Sequence, residues 1–368
     1  MKLQRSGFLA GIALTAAIAL AACGSDNTSE PAAGGNASGA AASIACASGS
    51  LTAQGSTAQA NAMSQWIKDY QGQCADAKID YQGTGSGAGV QAIIAGTADF
   101  AGSDSSLKDD EQTQANAKCG AGSTALNIPM VVGPIAVVYN LQGVDGLQLD
   151  APTLAKIFAG KITKWNDPAI ASQNSGASLP DQPIGTVHRS DESGTTDNFT
   201  KYLSKAAASD WTFGNAKAWK APGGTGAKGS DGVANAVKST PGSLAYVEKS
   251  FMDNSGLQGA KLKNGAGEYT ELTPDSAGKG IAGAKVTGTG NNLKLDIDYN
   301  ATTPGAWPAV LTTYEIVCDK GSSKAALLKS FFTYTSSAAG QASLTDLGYA
   351  PLPAELLTKV QAAVASIS

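Results

Sequence analysis

The chain carries a single histidine, His188, among its 368 residues. Histidine is the side chain that most readily moves a proton near neutral pH, and it is the commonest metal ligand. One copy leaves little with which to build a metal site or a hydrolytic triad. It also precedes Arg189 on a predicted strand, which turns the two side chains to opposite faces. No serine stands in a Gly-x-Ser-x-Gly elbow. Gly160-Lys161 is followed by Ile162 rather than Ser or Thr, so no Walker phosphate loop is present. No cluster of ligands is available for two-metal phosphate chemistry. Lys and Arg number 26 against 30 Asp and Glu, a formal net charge of -4. Without a basic patch or aromatic-basic interleaving, a nucleic-acid partner is not expected. Beyond the leader described next, no segment is apolar enough to span a bilayer. These absences count against an enzyme, and neither a metal nor a cofactor is expected.

What is present begins with a leader over residues 1–22. Lys2 and Arg5 form a charged start, residues 8–19 an apolar run, and Leu20-Ala21-Ala22-Cys23 a small-residue cleavage site. This is the pattern of a secretory signal peptide. Cys23 directly after the site resembles the bacterial lipobox, which implies a lipid-modified N-terminus. Residues 23–45 are made largely of Gly, Ala, Ser and Asn and lack a core, so a flexible tether is expected. Loss of the leader removes two cations and no acid, moving the charge from -4 to about -6. The remaining cysteines, Cys46, Cys74, Cys119 and Cys318, show no zinc-site spacing. An even number in an exported chain favours two disulfides out of three possible pairings. Cys46 precedes the first predicted strand and Cys74 the second. Parallel neighbours would bring those ends together, so Cys46–Cys74 with Cys119–Cys318 is the preferred pairing.

Strand-like and helix-like stretches alternate, the pattern of an α/β fold with a mostly parallel sheet. Residues 50–53 and 78–82 read as strands. Met63, Trp66, Ile67 and Tyr70 share one helix face, as do Val90, Ile93 and Ile94, and Phe199, Tyr202 and Leu203. The apolar run 128–141 is broken by Gly133-Pro134, and a proline cannot donate to a central ladder, so a bend or change of sheet is expected there. That run and the β-rich Val310–Cys318 read as crossings between two lobes. Residues 261–290 read as variable surface structure.

Three stretches set hydroxyl and glycine residues at predicted helix starts: Gly55-Ser56-Thr57-Ala58, Gly83-Thr84-Gly85-Ser86-Gly87 and Arg189-Ser190-Asp191-Glu192-Ser193-Gly194-Thr195. Any one of them can be an ordinary cap. Together, at the ends of strands in an open α/β sheet, they suggest convergence on a small oxyanion. Arg189 adds a permanent charge and a fork of donors, and Asp191 can pin its guanidinium. Asp104 is the unexpected member, because a carboxylate repels an anion unless that anion has a proton to give. Phosphate near pH 7 has one and sulfate has none, so Asp104 favours phosphate. Receptors for sulfate or molybdate, a surface adhesin and an extracellular phosphatase are the alternatives.

The stretches at residues 81–90, Ser103-Asp104, residues 157–167, residues 188–195 and residues 242–248 resemble the phosphate-binding lipoproteins of the high-affinity phosphate ABC importer, the PstS family. The likeness runs in order from about residue 51 onward. It implies a two-lobed type II periplasmic-binding-protein fold with a two-crossing hinge, lobe I at residues 46–131 and 309–368 and lobe II at residues 132–308. It further implies inorganic phosphate as ligand, held by Thr57, the Ala58 N–H, Ser86, Asp104, Arg189, Ser193, Gly194 and Thr195, with Asp191 orienting Arg189. Permease subunits are the implied partner, and the expected form is a monomer anchored through Cys23 on the outer face of the cell membrane. Glu192 departs from the family, where glycine is common, and its side chain is expected to face solvent. The Ala58-Gln59 pair departs from the aromatic-containing versions.

Overall fold

The computed structural model describes residues 44–368. The leader, the lipidation site Cys23 and all but the last two residues of the tether lie outside the described residues. From the N-terminus, β1 (Gly49–Gly55), α1 (Ala60–Gln73), β2 (Ala77–Gly83), α2 (Ser86–Ala95), β3 (Phe100–Ser103) and α3 (Asp109–Cys119) alternate. Next come β4 (Ala125–Tyr139), β5 (Gln148–Leu149), α4 (Ala151–Phe158), α5 (Pro168–Ala171), β6 (Gly185–Arg189) and α6 (Gly194–Ala206). β7 (Thr225–Ala227), α7 (Gly229–Ser239), β8 (Ser243–Glu248), α8 (Lys249–Ser255) and β9 (Gln258–Gly259) follow. Then come β10 (Lys261–Lys263), β11 (Tyr269–Thr270), α9 (Pro274–Ile281), β12 (Lys285–Val286) and β13 (Leu295–Asp296). β14 (Val310–Cys318), α10 (Ala325–Thr335), α11 (Ala338–Ala342) and α12 (Ala354–Ala365) complete the chain.

The main sheet has strand order β2-β1-β3-β14-β4-β8-β6-β7, with β9 also on β4. The expectation of a mostly parallel sheet holds on its flanks, where β1 pairs with β2 and β3, and β6 with β7 and β8, all in parallel. Its middle departs from that expectation, because β14 and β4 run antiparallel to each other and to their outer neighbours. β4 explains the proline. The strand is unbroken and buried at every residue, but its partner changes. Residues up to Pro134 pair with β14, and residues from Ile135 pair with β8. Proline, which has no N–H to give, stands where one ladder ends and the next begins.

Side-chain periodicity placed the helices correctly. Met63, Trp66 and Tyr70 of α1 are buried and Ile67 is half-buried. Trp66, Trp165 and Trp307 are fully buried, and each indole N–H donates to a backbone carbonyl, of Gly340, Gly242 and Ile135 respectively. A buried donor left without a partner would cost about 1–3 kcal/mol. Residues 261–290 are more than surface structure. β10 pairs with β5 and β11 in a second sheet, and Leu262, Ala277 and Ile281 enter the core. Their Gly-rich composition hid those few apolar anchors.

Both preferred disulfides are formed, Cys46–Cys74 across 28 residues and Cys119–Cys318 across 199. Closing loops of these lengths constrains the unfolded chain by roughly 3.5 and 5 kcal/mol. Replacing Cys119 and Cys318 together by alanine is therefore expected to lower the urea midpoint more than replacing Cys46 and Cys74. The reverse order would show that strain or residual structure outweighs loop entropy.

Candidate functional site

Parallel strands deliver several chain ends to one place, where the loops after β1, β2, β3, β6 and β7 meet. The loop after β1 depends on Gly55, at φ 144°. A Cβ there would lie 2.0 Å from the Gly102 carbonyl oxygen, so only glycine lets β1 and β3 approach at this point. The Ser56 hydroxyl donates to Asp104 Oδ1 at 2.5 Å, and its oxygen accepts from the Ala58 N–H at 3.0 Å. Thr57 Oγ1 lies 2.9 Å from the hydroxyl of Ser230 and also accepts from the Ser230 N–H.

Ser86, at the first turn of α2, connects two loops. Its hydroxyl donates to Asp104 Oδ2 at 3.1 Å and accepts from the Asp104 and Gly194 amides. Gly194 is required by that approach, since a Cβ would sit 2.5 Å from Asp104 Cβ and 2.7 Å from Ser86 Oγ. Asp104 itself is 3% exposed. Thr313 of β14 gives Oδ1 a second hydroxyl donor at 2.7 Å. Burial pushes the Asp104 carboxyl up to about 6; the Ser56 hydrogen bond opposes that rise and the nearby Glu248 adds to it.

Arg189 ends β6 and is as buried as Asp104. Its Nε and Nη2 grip the two oxygens of Asp191 at 2.7 and 2.5 Å, a bidentate fork that fixes the guanidinium plane. Nη1 reaches the Ser230 hydroxyl at 3.4 Å. Asp191 also accepts from the Gly229 N–H. Burial raises the Asp191 carboxyl, but the Arg189 hydrogen bonds and charge outweigh it and hold it below the usual carboxylate value. Ser193 is the N-cap of α6, accepting from the Thr196 N–H, while its own N–H donates to the Lys217 carbonyl at 3.0 Å. Lys217, 6% exposed, sends its ammonium to Glu111 of α3 at 3.1 Å. Thr195 donates its hydroxyl to Glu248, a fully buried residue at the end of β8.

The structure thus brings Thr57, Ala58, Ser86, Asp104, Arg189, Asp191, Ser193, Gly194 and Thr195 around one junction. Four participants were not singled out from the sequence. Ser230 heads α7 behind Gly229, a fourth glycine-hydroxyl helix start whose signal was available in Gly229-Ser230. Ser56 was within a quoted stretch, but nothing in the sequence tied it to Asp104. Thr313 lies in a strand and carries no local signal, and Glu248 closes the family-like stretch at residues 242–248 with nothing there to mark it as a site residue. Glu192 is exposed, as expected, with its side chain over Gly87. His188 stacks on Trp219, ring centroids 4.9 Å apart, and its Nδ1 lies 2.9 Å from the Arg189 carbonyl, a packing role. Among the described residues no group of three or more His, Cys, Asp or Glu is placed to hold a metal ion, and no helix is long and apolar enough to cross a membrane.

Arg189 faces the carboxylates of Asp191 and Glu248 at this junction, and Asp104 lies near Glu248. The cation is outnumbered, so an anion must draw on neutral donors as well: the hydroxyls and amides at the starts of α1, α2, α6 and α7, several of which bond to one another in this structure.

The PBP superfamily domain matches residues 40–339. Phosphate-binding protein PstS 3 of Mycobacterium tuberculosis is 44% identical over 375 residues, covering 100% of each chain. Phosphate-binding protein PstS 2 of the same species is 41% identical over 374 residues, again covering 100% of each. A solved phosphate-binding protein from Stenotrophomonas maltophilia superposes with a TM-score of 0.66 at 22% identity, over 86% of this chain and 94% of that one.

Proposed function

Because the chain belongs to the PstS family of phosphate-binding proteins within the PBP superfamily, we propose that it captures inorganic phosphate and delivers it to the permease of an ABC importer. It is a substrate-binding component and not an enzyme, with the two-lobed α/β fold of periplasmic binding proteins. Lobe I is assigned to residues 46–131 and 309–368 and lobe II to residues 132–308. The change of ladder partner at Pro134 supports a boundary near that position. Cys23 carries the lipid that holds the monomer on the extracytoplasmic face of the cell membrane, and residues 23–45 give it reach.

Phosphate sits among Thr57, the Ala58 amide, Ser86, Asp104, Arg189, Ser193, Gly194 and Thr195, with Asp191 holding Arg189 in plane. The observation that carries this reading is the pattern of donors on Asp104. An ionised carboxylate offers about four acceptor directions. Ser56 and Thr313 occupy two on Oδ1, and Ser86 occupies one on Oδ2. The remaining direction on Oδ2 accepts a P–OH. Sulfate has no proton to put there and would oppose lone pair to lone pair.

Calorimetric titration at neutral pH tests the reading directly. One phosphate per chain at about 1 μM or tighter, near -8 kcal/mol, is expected, with no sulfate binding. Equal binding of both anions would remove the selective role of Asp104. Binding of neither would remove the receptor assignment for this junction.

A further inference from the structure

Beneath the junction lies a buried acid that the binding scheme does not use. Glu315 of β14 is fully buried, opposite Gly102 of β3 and Ile128 of β4. Neither of its oxygens has a donor, and the side-chain oxygen of Gln59 is equally without one. Glu315 pairs with Gly102 across the β3–β14 ladder, and a Cβ on Gly102 would lie 2.3 Å from Nε2 of Gln59, the residue before α1, so the two side chains share one face of the sheet. Three buried oxygens without a donor are a costly arrangement.

Turning the Gln59 amide over does not relieve it. Tyr81 donates its hydroxyl proton to the Ser56 carbonyl at 2.8 Å, so its oxygen must receive rather than give on the other side. Gln59 Nε2 supplies that donor at 3.0 Å. The packing is tight here, since a Cβ on Gly102 would lie 2.3 Å from both Gln59 Nε2 and the Tyr81 oxygen. One Nε2 hydrogen serves Tyr81 and neither Glu315 oxygen receives the other, whereas a proton on Glu315 gives the orphaned Gln59 Oε1 a donor. The same chain continues outward, because Ser56 donates its side-chain hydroxyl to Asp104.

We propose that Glu315 is a positioning residue of the phosphate cradle: held as the neutral acid, it donates to Gln59 and, through Gln59 and Tyr81, fixes the backbone of Ser56 so that its hydroxyl meets Asp104. The inference rests on the assignment of Asp104 and its neighbours as the phosphate site. Of the groups that act on the Glu315 carboxyl, burial pushes it up to about 8, the Gln59 amide opposes that rise, and Asp104 adds to it. No cation is among them, and Tyr81, the other titratable group facing it, is itself pushed well up by burial and by Glu315. An acid neutral in the fold and ionised in the unfolded chain stabilises the fold fully only below the ordinary glutamate value. That contribution is lost as pH rises through about 8.

The test is phosphate calorimetry on wild type, Glu315→Gln and Glu315→Leu, at about pH 6.5 and about pH 9, on either side of the Glu315 transition. Glutamine places an N–H donor where the acid proton was. Glu315→Gln is expected to match wild type at the lower pH and to bind about fivefold tighter than wild type at the higher. Glu315→Leu leaves Gln59 unsatisfied and is expected to bind at least about fivefold more weakly at the lower pH. A role confined to packing would shift thermal midpoints but leave the ratio of wild type to Glu315→Gln the same at both pH values. That flat ratio overturns the proposal, as does a Glu315→Gln protein that loses binding at the lower pH. Should Glu315→Leu fail to fold, the glutamine comparison still decides. Asp104→Asn is titrated alongside: if it leaves both phosphate and sulfate binding unmoved, the site assignment itself fails, and this inference with it.

Discussion

Asp104→Asn admits sulfate. The substitution replaces the last acceptor direction at the junction with an N–H donor or a neutral carbonyl, depending on how the amide turns. Phosphate loses the partner for its proton, while sulfate loses its repulsion. Leaving a charge-assisted bond unmade costs about 2 kcal/mol or more, close to a thirtyfold change in affinity. Competition between the two anions near pH 7.5 should show selectivity falling by at least about that factor. Undiminished rejection of sulfate would mean that the proton is read elsewhere. The wild-type protein makes a related prediction without mutation. Asp104 titrates near 6, so below that pH its own carboxyl becomes a donor, and discrimination against sulfate should weaken as the medium is acidified through that range.

Loss of Arg189 should be larger still. Its guanidinium is buried, held on both oxygens of Asp191 and directed at Ser230. Arg189→Met takes away the cation that faces the anion and leaves Asp191 with only the Gly229 N–H as a named donor. Truncating one member of a buried, hydrogen-bonded charge pair costs about 2–5 kcal/mol, so phosphate affinity should drop by at least about thirtyfold. Lysine cannot restore it, because an ammonium is a point charge and does not reproduce the two-pronged grip on Asp191. Calorimetry on Arg189→Met and Arg189→Lys, with thermal midpoints as a folding control, checks both statements. Near-normal phosphate binding by either folded variant would place the anion away from Arg189.

Local sequence carried the parts of the site that are local in the chain. Gly55-Ser56-Thr57, Gly85-Ser86 and the run from Arg189 to Thr195 announce themselves because strand ends, caps and glycines fall within a few residues of one another. Apolar spacing was enough to orient α1, and the proline of β4 pointed to the residue at which its partner changes. Contacts between distant segments were not legible. Thr313 reaches Asp104 across 209 positions, and Thr195 meets Glu248 across 53. Such pairs are created by strand order, which periodicity does not encode. The antiparallel middle of the sheet was missed for the same reason. Glu315 reads as one polar letter in an apolar strand, and only the neighbouring Gln59 and Tyr81 give it a meaning.

Lys217 is tied at both ends. Its carbonyl holds the Ser193 amide beside the proposed phosphate cradle, while its ammonium, four methylenes away, holds Glu111 on α3. The residue is therefore a lever with the cradle on its short arm. Any movement that draws α3 away from the loop after α6 must either strip a nearly buried ammonium of its acid or pull on Ser193, so the grip on the ligand and the separation of the two elements are mechanically one event.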